Sequence, residues 1–208
     1  MTHDPGYNMI DTHWQALLDA TRALHRDVPE LAAFCDFPDT VTPQAYAAKH
    51  DPLCDAMLGQ TGLTTLPALQ AFHDSALTAA RSAHWRDTYR DTPFGETLHA
   101  HFGSFEVVGR DTVLSAEGMR SFFVYQAPGF HYPMHHHPAE EIYLVLAGSG
   151  EFHLQGSGSR VLGPGAIVHH PVNAPHALTT HAAPLVAYVI WKGDIQKKPV
   201  WTETDALA

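Results

Sequence analysis

Cysteine is almost missing from this chain: Cys35 and Cys54 are the only two in 208 residues, and they stand outside any C-x-x-C spacing. That argues against a disulfide framework or a zinc ribbon and predicts two reduced thiols in the core. Basic residues are scarce too, with 12 Lys and Arg against 22 Asp and Glu and a formal net charge of -10. Such a balance disfavours nucleic acid and anionic membranes as partners and leaves a small metabolite as the expected one. Long apolar runs are absent. Met1 is followed by THDPGYNMIDTHWQ, with neither a basic n-region nor an apolar h-region, so the sequence predicts a cytoplasmic protein without membrane contact. No internal repeat or low-complexity linker interrupts it.

What is present is ample core material, 45% hydrophobic residues, enough for one large domain or a barrel with an added subdomain. Up to about Trp85 the pattern is helical. Met9, Ile10, Trp14, Leu17, Leu18, Thr21 and Leu24 recur at helical spacing and predict an amphipathic helix ending before Pro29. Further helix starts are expected at Pro29 (ELAAF), Thr42-Pro43 (QAYAA), Asp51-Pro52 (LCDAM) and Pro67 (ALQAFHDSALTAARSAHW), because proline suits the first helical position. His13, His25, His50, His73 and His84 are scattered there without ligand spacing and read as surface or core histidines.

Strands dominate after a boundary placed near Pro93, giving a helical region over 1–93 and a β region over 94–208. Phe105 to Val108, Ser121 to Gln126, Glu141 to Ala147, Glu151 to Gln155, Ala166 to His169 and Leu185 to Lys192 are short runs rich in Val, Ile, Phe and Tyr. The fold class is mainly β with an α-helical N-terminal part, a sandwich or closed barrel. Gly148-Ser149-Gly150 predicts a tight hairpin, and Gly156 to Ser159 the next.

The chemistry concentrates in Gly129 to Gly148, GFHYPMHHHPAEEIYLVLAG. His135, His137, Glu141 and Tyr143 all occupy odd positions, so an extended backbone sends them to one side while Ile142, Leu144 and Leu146 face the other. Two imidazoles and a carboxylate suit one divalent transition ion, Zn2+ or Fe2+ foremost, with Mn2+, Co2+ or Ni2+ also compatible. His131, His136, His153, His169 and His170 read as surface or supporting groups.

The spacing Gly129-x5-His135-x-His137-x3-Glu141-x6-Gly148 resembles the first motif of the cupin superfamily, and GPGAIVHHPVNAPHA, with Pro164-Gly165 and Pro175-His176, resembles the second. That resemblance implies a single cupin barrel, a double-stranded β-helix, preceded by several short helices. More narrowly, HYPMHHHPAEEIYLVLAG, NAPHALTTH and AYVIWKGD resemble the DddQ-type dimethylsulfoniopropionate (DMSP) lyases. Carried over by position, this resemblance implies that His137, Glu141 and His176 are metal ligands, that Tyr143 is a fourth ligand or lies beside the ion, and that Tyr132 and His135 adjoin the substrate. The superfamily pattern instead implies that His135 is a ligand, so its role stays open.

DMSP joins a carboxylate to a dimethylsulfonium leaving group through two carbons. Removing a proton from the carbon next to the carboxylate expels dimethyl sulfide and leaves acrylate. A divalent cation on the carboxylate stabilises the charge that develops, and a phenol oxygen near that cation becomes basic, which makes Tyr143 the candidate base and Tyr132 its competitor. The sulfonium end calls for aromatic faces. Trp191, Tyr188 and Phe123 are candidates; strand parity separates Tyr188 from Trp191, and Trp191 is preferred. Two other classes compete: an Fe(II) cupin dioxygenase acting on a small metabolite and a non-catalytic ligand-binding cupin. The helices are expected to cap the barrel mouth or form a dimer contact, the chain being a monomer or homodimer.

Overall fold

The computed structural model describes residues 10–92 and 94–202. Met9, placed by periodicity on the first helix, and Pro93, at the predicted boundary, lie outside the described residues. Helix α1 (Thr12–Asp27) buries Trp14, Leu17, Leu18, Thr21 and Leu24 along one face. It stops where the sequence says it should: Val28 precedes a proline and is extended at φ -110, ψ 99, and Pro29 then opens α2 (Pro29–Phe34). Helix α3 (Pro52–Leu58) is capped by the Asp51 side chain, which accepts from the Leu53 N–H at 2.9 Å. Pro67–Leu69 forms a 3-10 turn that leads into α4 (Gln70–Ala80). This helix is shorter than the run ALQAFHDSALTAARSAHW predicts, because the Trp85 indole N–H bonds the Ala80 carbonyl at 2.9 Å.

One expected helix is not formed. Thr42–Pro43 is a short strand, β1, antiparallel to β3 (Leu114–Ser115), and the residues QAYAA behind it are irregular. The reason is tertiary: Gln44 donates its backbone N–H to Val113 and its side-chain amide to the Arg110 and Thr112 carbonyls, and these outcompete a local helical turn. Conversely, α5 (Gly95–His101) occupies a stretch too short and polar to read as a helix.

Ten more strands follow the helical part: β2 (Phe102–Val108), β4 (Met119–Gln126), β5 (His131–His136), β6 (Ala139–Gly148), β7 (Gly150–Leu154), β8 (Gly158–Leu162), β9 (Ile167–His170), β10 (His176–Thr179), β11 (Leu185–Gly193) and β12 (Val200–Trp201). They form two five-stranded antiparallel sheets, ordered β2-β4-β11-β6-β9 and β12-β5-β10-β7-β8. The turn at Gly156 is the predicted hairpin between β7 and β8. Gly148-Ser149-Gly150 is not a hairpin. It carries the chain from one sheet into the other, with Gly148 at φ 72 and so close to the Pro184 carbonyl (1.8 Å from an added Cβ) that a side chain has no room.

Alternation along the first sheet divides its side chains between two cores. Ile142, Leu144, Leu146, Tyr188, Ile190, Phe105 and Phe123 face outward into a core shared with α1 to α4, while Phe122, Val124, Tyr143, Val145, Val189 and Trp191 face inward. The helices therefore cover the outer face of this sheet. Each fully buried aliphatic or aromatic side chain in that seam contributes roughly 1.5–3 kcal/mol. The inner face, enclosed by the second sheet, is where the polar residues meet. Among the described residues no helix is long and apolar enough to cross a membrane. Cys54 is buried, Cys35 half-buried, and both are free thiols.

Candidate metal centre

Two cross-strand rows, one from each sheet, meet inside the barrel. In the first sheet Trp191, Glu141 and His170 are register partners on β11, β6 and β9. In the second, Trp201, His135 and His176 are register partners on β12, β5 and β10. His137 sits in the connection between β5 and β6, where the chain crosses between sheets. The expected single strand carrying His135, His137, Glu141 and Tyr143 is thus broken after His136. Tyr143 stays with Glu141 on β6, and the histidines arrive from other directions to the same place. The loop leading into His176 is tied to this turn: Asn173, in the left-handed region at φ 56, donates its N–H to the His137 carbonyl at 2.9 Å.

His135, His137, Glu141, His170 and His176 are all buried. Ligand atoms of His135, His137 and His176 lie within 4.8 Å of one another, as do those of Glu141, His170 and His176. The Nδ1 atoms of His135, His137 and His176 lie 2.8, 2.9 and 2.9 Å from the carbonyls of Pro133, Ala139 and Ala174. Only a protonated Nδ1 bonds a carbonyl, so each ring presents a lone pair at Nε2. The Nε2 atoms of His137 and His176 have no hydrogen-bond partner although buried, and they lie 3.6 and 3.3 Å from the Glu141 carboxylate. Buried nitrogens with nothing to bind, next to a carboxylate, are what an ion would satisfy. The residues present fit a divalent transition metal.

Glu141 is held from outside this cluster as well. The Trp191 indole N–H donates to its Oε1 at 2.5 Å, and His170 Nδ1 donates to its Oε2 at 2.6 Å. His170 also stacks on His176, 3.9 Å between ring centroids. Burial works to raise the Glu141 pKa, but His137, His170 and His176 together hold it well below the usual carboxylate range. Burial lowers the His170 pKa to about 4, with the nearby His176 adding to the shift. Burial likewise pushes His135 well below its ordinary value. Both phenols go the other way: burial, then the charge of Glu141, raises Tyr143 well above 10, and burial with neighbouring Tyr89 does the same to Tyr132.

A cavity opens beside the cluster, lined by Tyr132, His135, Glu141, Tyr143, Val189 and Trp191 and also by Arg86, Tyr89, Phe102, Ser104, Phe122 and Val124. Tyr132, Tyr143, His135 and Trp191 therefore share one space. The other aromatic candidates do not: Phe123 and Tyr188 belong to the outer core, where Tyr188 meets Phe72 and His25. His170, read from the sequence as a supporting or surface group, reaches Glu141 in regular register, whereas His169 turns outward to Glu140. Other neighbours have no counterpart in the sequence reading. Tyr89 receives a hydrogen bond from the Tyr132 hydroxyl, and the Trp201 ring lies 5.8 Å from that of His135. No local signal marks Tyr89 or Trp201.

A double-stranded antiparallel barrel with imidazoles and a carboxylate turned into it is a cupin barrel. A family profile described as dimethylsulfoniopropionate lyase matches residues 39–187, and the chain belongs to that family. Dimethylsulfoniopropionate lyase DddQ of Ruegeria pomeroyi is 38% identical over 192 residues, covering 92% of this chain and 95% of the relative. The crystal structure of DMSP lyase DddQ from Ruegeria pomeroyi DSS-3 matches with a TM-score of 0.88 at 37% identity, over 93% of this chain and 98% of that one. Another, described under crystal structures of the DMSP lyases RdDddP and RnDddQII, gives 0.85 at 31% identity over 92% and 98%.

Proposed function

We propose that this protein is a metal-dependent carbon–sulfur lyase that cleaves DMSP to dimethyl sulfide and acrylate. The observation that carries the reading is the placement of a phenol, Tyr143, in one buried cavity with an imidazole and carboxylate cluster whose nitrogens lack partners, in a chain of the DMSP lyase family. His137, Glu141 and His176 would hold the ion, with Tyr143 beside it; His135, through its free Nε2, is either a further ligand or a contact to substrate. When bound, the ion supplies positive charge that stabilises the carboxylate end of the substrate as its neighbouring carbon becomes negative.

The chain's own residues do the rest. Tyr143 Oη accepts the proton from the carbon next to the carboxylate, and the electron pair left behind forms the C=C bond as the C–S bond breaks. Dimethyl sulfide leaves neutral. Burial and Glu141 oppose a Tyr143 phenolate in the bare site, so its basicity depends on a cation being present. Tyr132 competes for the base role, but its hydroxyl donates to Tyr89, which favours the protonated phenol and suits it to positioning. Trp191 contributes a cavity wall for the sulfonium methyls and fixes Glu141 through its N–H.

Purified protein incubated with DMSP under nitrogen should release dimethyl sulfide and acrylate in equal amounts, and a strong chelator should stop it. Release that requires oxygen would instead support an Fe(II) dioxygenase, because elimination consumes none.

A further inference from the structure

Arg86 is the cavity-lining cation that the lyase reading leaves without a task. It lies in the segment between α4 and α5, half-buried, and it lines both the inner cavity beside Glu141 and an outer pocket with Asp87, Arg90 and His99. Its backbone N–H bonds the Ser104 carbonyl at 2.9 Å, which anchors the residue on β2. Its guanidinium carbon sits 4.5 Å from the centroid of the Phe122 ring, and Phe122 in turn meets Trp191 edge-on at 5.5 Å.

The carboxylates nearest in the fold are already engaged. Glu106 and Asp111 pair with Arg120, and Asp87 pairs with Lys49. Among the described residues none forms an ion pair with Arg86. A guanidinium that lines a cavity without an ion-pair partner is open to an anion, and its fork of N–H donors matches a carboxylate in two parallel hydrogen bonds. The same cavity is lined by aromatic rings: Phe102 stacks on Tyr132 at 4.6 Å, with Tyr89 at 5.8 Å from Tyr132.

We infer that Arg86 anchors the carboxylate end of the substrate and so fixes its orientation in the cavity. The inference rests on the lyase reading for the identity of the substrate, but the anion site itself does not. The reversed pose would put a sulfonium beside a guanidinium and is repelled. A carboxylate at Arg86 is also what would select propionate-type substrates over sulfonium compounds with no acid group.

The test compares wild type with R86K and R86M at matched metal content. R86M should raise KM for DMSP about 10- to 100-fold while kcat stays within about threefold, the loss expected for hydrogen bonds to a charged group made equally in ground and transition states. Propionate should lose affinity by the same factor, read directly by calorimetry, whereas the ethyldimethylsulfonium cation should bind R86M as well as wild type or better. R86K keeps the charge on a similar stem and should fall between; it carries the test if R86M does not fold. Unchanged propionate affinity in R86K and in any folded R86M would overturn the proposal, as would a wild type that binds no propionate. If wild type releases no dimethyl sulfide yet binds propionate through Arg86, the lyase reading fails and the anion site stands.

Discussion

Trp191 and Glu141 face each other across β11 and β6 as register partners, and the indole N–H reaches the carboxylate at 2.5 Å. This contact joins an apolar wall to a candidate ligand. With His170 on the other oxygen, Glu141 is held from two sides, so the carboxylate is oriented before any ion arrives. Trp191→Phe keeps an aromatic wall but deletes the donor. Metal affinity, measured by competition with a chromophoric chelator, should fall about 10- to 100-fold, the range for losing an outer partner of a ligand. Unchanged affinity would mean that His170 alone orients Glu141.

Arg120 and Glu106 make a separate test of what holds the barrel together. Glu106 takes two bonds from the guanidinium, at 2.8 and 2.6 Å, and one from each of the Arg110 and Asp111 backbone N–H groups at 3.1 Å. Both side chains are almost fully buried. Arg120→Met strands a buried carboxylate and should cost roughly 3–5 kcal/mol in urea unfolding, while adding Glu106→Gln should restore much of it. Equal stability of the single and double variants would show that Glu106 is not left unpaired.

His25 sets a pH dependence distant from the candidate ligands. Its ring lies buried against Tyr188, whose hydroxyl it meets at 3.0 Å, and burial lowers its pKa from 6.5 to about 4. The folded protein therefore prefers neutral His25, and the unfolded chain binds the proton more readily between those values. The stability this represents is present in full above pH 6.5 and is lost as pH falls toward 4, about 3 kcal/mol in all. His25→Gln removes the titration. The difference in urea midpoint stability between wild type and variant should shrink by about 2 kcal/mol from pH 7 to pH 4.5; a constant difference would place the proton elsewhere.

Much of this architecture was legible in the chain because its signals are local. The α1 stripe, the proline starts of α2 and α3, and the apolar runs of β4, β6 and β11 need no partner to be read. The split of Ile142, Leu144 and Leu146 from Tyr143 follows from strand alternation and is what the two cores display. Parity also separated Trp191 from Tyr188 correctly. The apolar runs leave out, among others, β5 with HYPMHH and β10 with HALT, which have few β-branched residues and are extended because the second sheet pairs them.

The candidate site was legible as a set of residues but not as an arrangement. Alternation put His135, His137 and Glu141 on one strand face; in the fold they meet because two sheets face each other across a break after His136. His170 and His169 read alike as supporting or surface groups, and only register with Glu141 decides that His170 is the one that points inward. Tyr89 and Arg86 reach the cavity, and Trp201 meets the Tyr132 ring, from segments more than 40 residues from Tyr132 in sequence, and spacing carries no trace of such contacts.

The proposed elimination needs Tyr143 as its base, and Tyr143→Phe tests this most directly when metal content and dimethyl sulfide release are measured on the same sample. Metal should be bound at close to the wild-type level and release reduced by at least about 100-fold, the lower end of what a general base supplies. A metal-replete Tyr143→Phe protein that releases dimethyl sulfide at the wild-type rate would contradict it and pass the proton to Tyr132.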